Sequence, residues 1–194
     1  GGDDIAEALA LLGVRPVWDG PSRRVTDFEI LPLSLVGRPR VDVTLRISGF
    51  FRDAFPNLIS LFDQAVNAVA ALNEPPEQNP LAAQVQKDFT YWQQQGLDES
   101  QSLKRSRYRI FGSKPGAYGA GLQGLIEAQN WESAADLARA YINWSSYAYT
   151  GNADSHSAPE AFSQRLENMQ IVLQNQDNRE HDLLDSDDYY QFQG

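Results

Sequence analysis

The stretch from residue 41 to residue 72 constrains the fold most, because the hydrophobic period changes there from two to 3.6. Val41, Val43, Leu45 and Ile47 alternate with Asp42, Thr44 and Arg46, the pattern of a strand with one buried face. Shortly afterwards Phe55, Leu58, Ile59, Phe62, Val66 and Val69 recur at spacings of three and four, one apolar stripe on a helix from about 54 to 72. A strand feeding such a helix places the chain in the α/β class, with helices covering a sheet.

The rest of the chain repeats that alternation. Asp3 or Asp4 can cap a helix carrying Ile5, Leu9 and Leu12, which Gly13 ends. Val14 to Trp18 reads as a strand, and Phe28 to Leu33 as a short strand or loop. Asn79 caps and Pro80 opens a helix to about 95, and Asp98 begins a shorter one through Ser106. Tyr108 to Phe111 is a strand running into a glycine-rich loop, 112–121. Two helices follow, 121–129 and 132–147, then a polar loop, 150–157, holding His156. Pro159 opens a last helix to about 174, with Phe162, Leu166, Met169 and Leu173 facing inward.

The expectation is a single α/β segment over 1–194: a partial Rossmann-like or flavodoxin-like parallel sheet, including 14–18, 41–47 and 107–111, flanked by helices. A helical insertion covers about 74–106, and an acidic segment covers 177–190. A helix leading into a strand normally follows an earlier strand of a parallel unit. The chain starts instead at Gly1, so an internal segment of a longer polypeptide is expected.

Composition removes several classes of function. With no cysteine there is no disulfide framework, thiolate metal site or cysteine nucleophile. Lys and Arg total 16 against 26 Asp and Glu, a formal charge of −10, which disfavours a nucleic-acid partner. No apolar run approaches the ~20 residues of a membrane-spanning helix, and no secretory signal is visible. A cytoplasmic protein without membrane or nucleic-acid partners is expected, although the lack of cysteine is compatible with any compartment.

Three features carry possible chemistry. The glycine-rich loop follows a strand and precedes a helix, a context that can hold anions on backbone N–H groups. Its spacing matches neither the phosphate loop nor the dinucleotide pattern. No ATPase activity is therefore expected from this chain, and a substrate-contacting or structural loop is the better reading. Ser48-Gly49-Phe50-Phe51-Arg52-Asp53 sits at the carboxyl end of an expected parallel strand, where ligands bind in open α/β sheets. Arg52 can grip a carboxylate there, or it can pair with Asp53, itself a possible helix cap. The third feature is the acidic run from Asp177 to Asp188, which contains His181. One imidazole among carboxylates can hold a divalent metal or accept protons. A solvated tail is the alternative, opposed by Leu183, Leu184, Tyr189 and Tyr190. His156 reads as a surface histidine.

Taken together, "GDDIAEALALLGVRPVWD", "FEILPL", "GRPRVDVTLRISGFFRDAFPNLI", "RIFGSKPGAYGAGL" and "NQDNREHDLLDSDDYYQFQG" resemble the large-subunit family of aerobic, ATP-dependent cobaltochelatase and its magnesium chelatase cousin. The resemblance covers nearly the whole chain, apart from about 74–105 and 150–158. It implies a segment of a tetrapyrrole-binding subunit that inserts Co²⁺ into hydrogenobyrinic acid a,c-diamide, with Mg-ATP hydrolysed at separate AAA+ partner subunits. The run ending Asp-Ser-Asp-Asp-Tyr-Tyr looks like the cobalt version. The alternatives are Mg²⁺ insertion into protoporphyrin IX and a non-catalytic module that docks partners. A carboxylate-based metal-dependent hydrolase, outside the resemblance, would need acids from several strand ends, whereas these cluster in one segment.

Metal insertion must strip water from the metal and remove two pyrrolic protons. On this basis His181, Asp182 and Asp185 are the catalytic candidates. His181, Asp185, Asp187 and Asp188 are the metal candidates, and Arg52, Lys114, Gly116 and Tyr118 the substrate-binding candidates.

Overall fold

The computed structural model describes residues 2–151 and 154–174. The acidic segment, with His181, Asp182, Asp185, Asp187 and Asp188, lies outside the described residues. In chain order the elements are α1 (Gly2–Leu12), β1 (Val14–Trp18), β2 (Val25–Ile30), α2 (Leu33–Val36), β3 (Leu45–Ile47), α3 (Gly49–Ala54), α4 (Pro56–Ala70), α5 (Pro80–Gln94), α6 (Glu99–Ser106), β4 (Ile110–Gly112), α7 (Gln123–Glu127), α8 (Ala134–Ser145), β5 (Tyr147–Tyr149), β6 (Ser155–Ser157) and α9 (Pro159–Glu167). They fall into two compact units.

Among the described residues, the first unit comprises 2–44, 57–109 and 150–151. The apolar positions expected on the first and third of its helices supply much of its core: Leu9 and Leu12 of α1 and Phe62, Val66 and Val69 of α4 are buried, and Leu81 and Trp92 of α5 join them. Helix α5 starts as its sequence dictates, with Asn79 Oδ1 accepting the Ala82 N–H at 3.0 Å. Asp98 and Gln101 close a capping box on α6. Strand β1 pairs antiparallel with β2, with Val14 opposite Ile30 and a bulge at Val17/Trp18.

Two buried arginines tie this unit together. Gly13 ends α1 at φ +77°, and a Cβ there would stand 2.5 Å from Arg40 Nη1. Only glycine lets the guanidinium come so close. Arg40 Nη1 donates to the carbonyls of Leu12 at 3.0 Å and Gly13 at 3.1 Å. Its Nη2 reaches Leu31 O at 2.9 Å, and Glu74 accepts from Nε and Nη2 at 2.7 and 2.9 Å. Arg109 grips both carboxylate oxygens of Asp42, at 2.6 and 3.0 Å.

Among the described residues, the second unit comprises 45–56, 110–149 and 154–174. Its sheet has the order β3-β4-β5-β6. The pair β3/β4 is parallel, with Leu45 opposite Ile110 and Ile47 opposite Gly112; β4/β5 and β5/β6 are antiparallel. Helix α8 packs against β4 and α9, and the Phe111 and Phe162 rings meet at 4.8 Å.

The α/β class with a helix-flanked sheet therefore holds, but the expected parallel sheet of Rossmann-like or flavodoxin-like kind is corrected to a mixed one. Strand 14–18 belongs to the separate hairpin β1–β2. The strand expected over 41–47 shrinks to 45–47 because its first half bonds elsewhere. The Val41 N–H goes to Leu11 O at 3.0 Å, the Arg40 N–H goes to Gln78 O, and Arg109 takes the Asp42 side chain. The alternation of 41–44 thus reflects side-chain demands without a backbone ladder.

The helix expected over 54–72 is α4, and a separate short helix, α3, precedes it. Pro56 bars its predecessor from the helical region, so Phe55 ends α3 at φ −131°, ψ 50° and is exposed. The end of the expected helix 132–147 and the polar loop after it form the hairpin β5–β6. The last helix stops at Glu167, where the Asn168 amide donates back to Gln164 O at 2.8 Å. Phe162 is buried, but Met169 and Leu173 are exposed.

Candidate functional site

The parallel pair β3/β4 sends two segments out of its carboxyl ends, 48–54 after Ile47 and 113–121 after Gly112. This is the edge of an α/β sheet where ligands gather. A Cβ at Gly112 would lie 3.0 Å from Ile47 O, so glycine permits the strands to end in such close contact. Ser48 Oγ accepts the Phe51 N–H at 3.1 Å and caps α3. Asp53, the cap considered from sequence, is thereby left for another task.

That task is to join the two segments. Arg52 Nε and Nη2 donate to the two Asp53 oxygens at 2.7 and 3.0 Å. Arg52 Nη1 donates across to the carbonyls of Lys114 at 3.0 Å and Ala117 at 3.1 Å. From the far segment the Tyr118 hydroxyl donates to Asp53 Oδ2 at 2.7 Å, and the Tyr118 ring lies over the guanidinium at 5.3 Å. The ring also rests on Gly49, where a Cβ would approach Tyr118 Cδ1 to 2.5 Å and Ala117 O to 2.8 Å. The Ser113 hydroxyl closes the turn onto Ala117 O at 2.6 Å, and the Tyr149 hydroxyl donates to Ser113 O.

The glycine-rich loop is pinned again further on. Gly119 O accepts from Arg46 Nη2 at 2.8 Å and from Trp144 Nε1 at 3.0 Å. Gly116, Gly119 and Gly121 all adopt left-handed φ near +80°, which side-chain-bearing residues rarely accept. The loop is thus a fixed platform held at both ends.

Its electrostatics follow from the contacts. Arg52, with Tyr118 second, holds the Asp53 carboxyl below the ordinary carboxylate value. Hydrogen bonding to Asp53 raises Arg52 and is also the main reason Tyr118 is raised. The anion–cation pair therefore persists through neutral pH, with the phenol protonated and donating.

The platform is an exposed aromatic pair. Phe50 and Tyr118 are 63% and 47% exposed, and their rings sit 5.3 Å apart at 45°. Lys114 and Gly116 are exposed on the same loop. Of the four substrate-binding candidates, Lys114, Gly116 and Tyr118 share one exposed loop. Arg52 is buried beneath it, its guanidinium engaged by Asp53 and loop carbonyls. Sequence reasoning did not single out Phe50 or Gly49, and it gave Asp53 no link to Tyr118. The Gly49-Phe50-Phe51 triplet carried a signal, since adjacent phenylalanines on a short helix cannot both face the same core.

Among the described residues no three His, Asp or Glu side chains come together as a metal group. No described helix is long and apolar enough to cross a membrane. His156 lies in β6 opposite Ala148, half-buried.

The sequence matches the CobN/Magnesium Chelatase family over residues 1–194. It is 64% identical over its whole length to the aerobic cobaltochelatase subunit CobN of Pseudomonas aeruginosa, of which it covers 16%. It is 31% identical, again over its whole length, to a magnesium-chelatase subunit of Chlorobaculum parvum, covering 14% of that protein. Among solved structures it resembles the catalytic subunit of cobaltochelatase from Mycobacterium tuberculosis, with TM-score 0.88 and 48% identity over 97% of this chain and 16% of that one. The chain thus spans about one sixth of the cobaltochelatase subunits it matches.

Proposed function

We propose, from the premise that this chain belongs to the CobN/magnesium chelatase family, that it is a tetrapyrrole-contacting segment of a cobaltochelatase large subunit. In the complete enzyme, Co²⁺ is inserted as substrate into hydrogenobyrinic acid a,c-diamide, and AAA+ partner subunits in the cytoplasm hydrolyse Mg-ATP. Cobalt is favoured over magnesium by the 64% identity to a cobaltochelatase subunit against 31% to a magnesium chelatase subunit.

One observation carries the tetrapyrrole assignment. The carboxyl ends of the parallel pair present two fixed, exposed aromatic rings, Phe50 and Tyr118, with the Lys114 ammonium on the same loop. A tetrapyrrole is a large apolar ring system with anionic carboxylates on its rim. Aromatic faces suit the ring, and a flexible cation suits a peripheral carboxylate. Because the platform is ordered before the ligand arrives, binding costs less conformational entropy.

Arg52 acts here as a positioning residue, because its guanidinium is buried against Asp53 and the loop carbonyls. His181, Asp182 and Asp185 are the proposed proton-transfer groups, and His181, Asp185, Asp187 and Asp188 the proposed ligands of the incoming metal. Their support is the chemistry of one imidazole among carboxylates.

Corrinoid titration of the full-length subunit, followed by absorbance, tests the assignment. Tyr118→Ala and Phe50→Ala should each weaken hydrogenobyrinic acid a,c-diamide binding roughly tenfold, the loss of one aromatic contact with its burial. Lys114→Ala should cost less, because its contact remains solvated. Unchanged affinity in all three variants would remove this face from the tetrapyrrole site.

A further inference from the structure

The Arg52–Asp53 pair faces solvent with one pole only. The Arg52 side chain is 7% exposed, whereas that of Asp53 is 48% exposed. Phe50 and Asp53 stand three positions apart on α3, so they share one side of that helix. Tyr118 touches both: its ring lies 5.3 Å from the Phe50 ring, and its hydroxyl donates to Asp53 Oδ2 at 2.7 Å. A half-exposed carboxylate therefore borders the exposed aromatic pair.

That carboxylate is not saturated. Its Oδ1 accepts from Arg52 Nε at 2.7 Å, and its Oδ2 accepts from Arg52 Nη2 at 3.0 Å and from Tyr118. An ionised carboxylate offers about four acceptor positions, so among the described residues one is left over, on Oδ1. Arg52, with Tyr118 second, keeps the group ionised through neutral pH. It can accept a further N–H but has no proton to donate, so a second carboxylate would meet it only with repulsion. A carboxamide and a carboxylate have nearly the same shape, and they differ in the two N–H donors and the charge that Asp53 reads.

We propose that Asp53 is a specificity-determining residue of the platform: its remaining Oδ1 lone pair accepts from a carboxamide on the rim of the bound tetrapyrrole, and its charge turns away a carboxylate at that position. This selectivity rests on the tetrapyrrole reading of Phe50 and Tyr118, and it adds what the rim must carry beside them. Recognition by a charged acceptor and exclusion of a like charge act in the same direction, so a single side chain separates two ligands of equal size. A carboxylate that served only to hold Arg52 would bind both forms of the rim alike.

Absorbance titration of the full-length subunit with hydrogenobyrinic acid a,c-diamide, and with the same corrinoid after hydrolysis of both amides to carboxylates, reads the preference as a ratio of two Kd values. The ratio cancels any loosening of the Tyr118 ring, which weakens both ligands alike. The parent protein should favour the diamide. Asp53→Asn should shrink that preference roughly threefold or more, the scale of one charged contact at a half-exposed position. Tyr118→Phe keeps the carboxylate and releases a lone pair of Oδ2, so its preference for the diamide should be at least as large as the parent's. Should Asp53→Asn fail to fold, the parent ratio and Tyr118→Phe still decide. The proposal is overturned if the parent binds both corrinoids equally, if Asp53→Asn leaves the ratio unchanged, or if Tyr118→Phe abolishes the preference, which would make the phenol the selecting group. An unchanged ratio in Asp53→Asn beside weakened binding in Tyr118→Ala and Phe50→Ala would remove the selectivity alone. Unchanged affinity for both corrinoids in those two variants would remove the tetrapyrrole reading, and the selectivity with it.

Discussion

Replacing Arg40 by alanine should be among the most damaging single changes in the first unit. Its side chain is buried and donates to three main-chain carbonyls as well as to Glu74. Gly13 O would keep the Leu31 N–H at 3.0 Å, so the carbonyls of Leu12 and Leu31 bear most of the loss. Two carbonyls deprived of a charged donor cost about 1–3 kcal/mol each, less wherever water enters the vacated space. Glu74 retains Asn79 Nδ2 at 3.0 Å and is partly exposed, so its share is smaller. The expected total is about 3–5 kcal/mol, the range for breaking a buried ion pair from one side. Glu74→Ala should cost only about 1–2 kcal/mol, because Arg40 would keep its carbonyl acceptors. Urea denaturation of both single variants and the double variant measures these values and their coupling. Equal losses from the two single variants would mean that the ion pair dominates. A loss below about 1 kcal/mol for Arg40→Ala would refute the clamp altogether.

Other perturbations probe the same physics. Gly49→Ala should push Tyr118 and the 117 carbonyl outward, because the new methyl would stand 2.5 and 2.8 Å from them; roughly 1–3 kcal/mol of stability and most corrinoid affinity should go with it, read by denaturation and titration. Asn79→Ala removes a helix cap and the donor to Val69 O at 2.9 Å, for a loss of about 1–3 kcal/mol in urea. The Glu74 carboxyl is held below its ordinary value, chiefly by its hydrogen bond from Arg40. A depressed folded-state value means stability that is present above the unfolded value of about 4.3 and lost as pH falls through the folded one. The stability gap between the parent protein and Glu74→Gln should therefore narrow on acidification, and a gap that widens would contradict the assigned sign.

Local signals were readable wherever a short-range rule decided the outcome. The Asn79-Pro80 start of α5, the Asp98 cap of α6 and the stripe on α4 formed as expected, because propensity, capping and burial agree there. Strand direction was not readable in the same way. Three-residue strands such as β5 and β6 carry too few side chains to show a period, and their partners are chosen by pairing within the sheet. The alternation at 41–44 misled for the opposite reason: Asp42 alternates in order to meet Arg109. At the candidate site, the segments after β3 and β4 were legible as loops that leave the carboxyl ends of two parallel strands. The role of Arg52 was not, since either reading of an arginine beside an aspartate fits the sequence. What separates them is the third partner, the carbonyls of Lys114 and Ala117, which lie more than sixty positions along the chain.

Steady-state cobalt insertion by the complete chelatase, measured against corrinoid concentration, distinguishes holding the ring from loading the metal. Tyr118→Ala should raise the KM for the corrinoid with a smaller change in kcat, since the proposed role of its ring is to hold the macrocycle. His181→Ala and Asp185→Asn should lower kcat, with corrinoid affinity nearly intact, since a proton acceptor or metal ligand acts once the ring is in place. Normal insertion by all three variants, or loss of corrinoid affinity only in the His181 and Asp185 variants, would contradict the division of labour assigned to this segment.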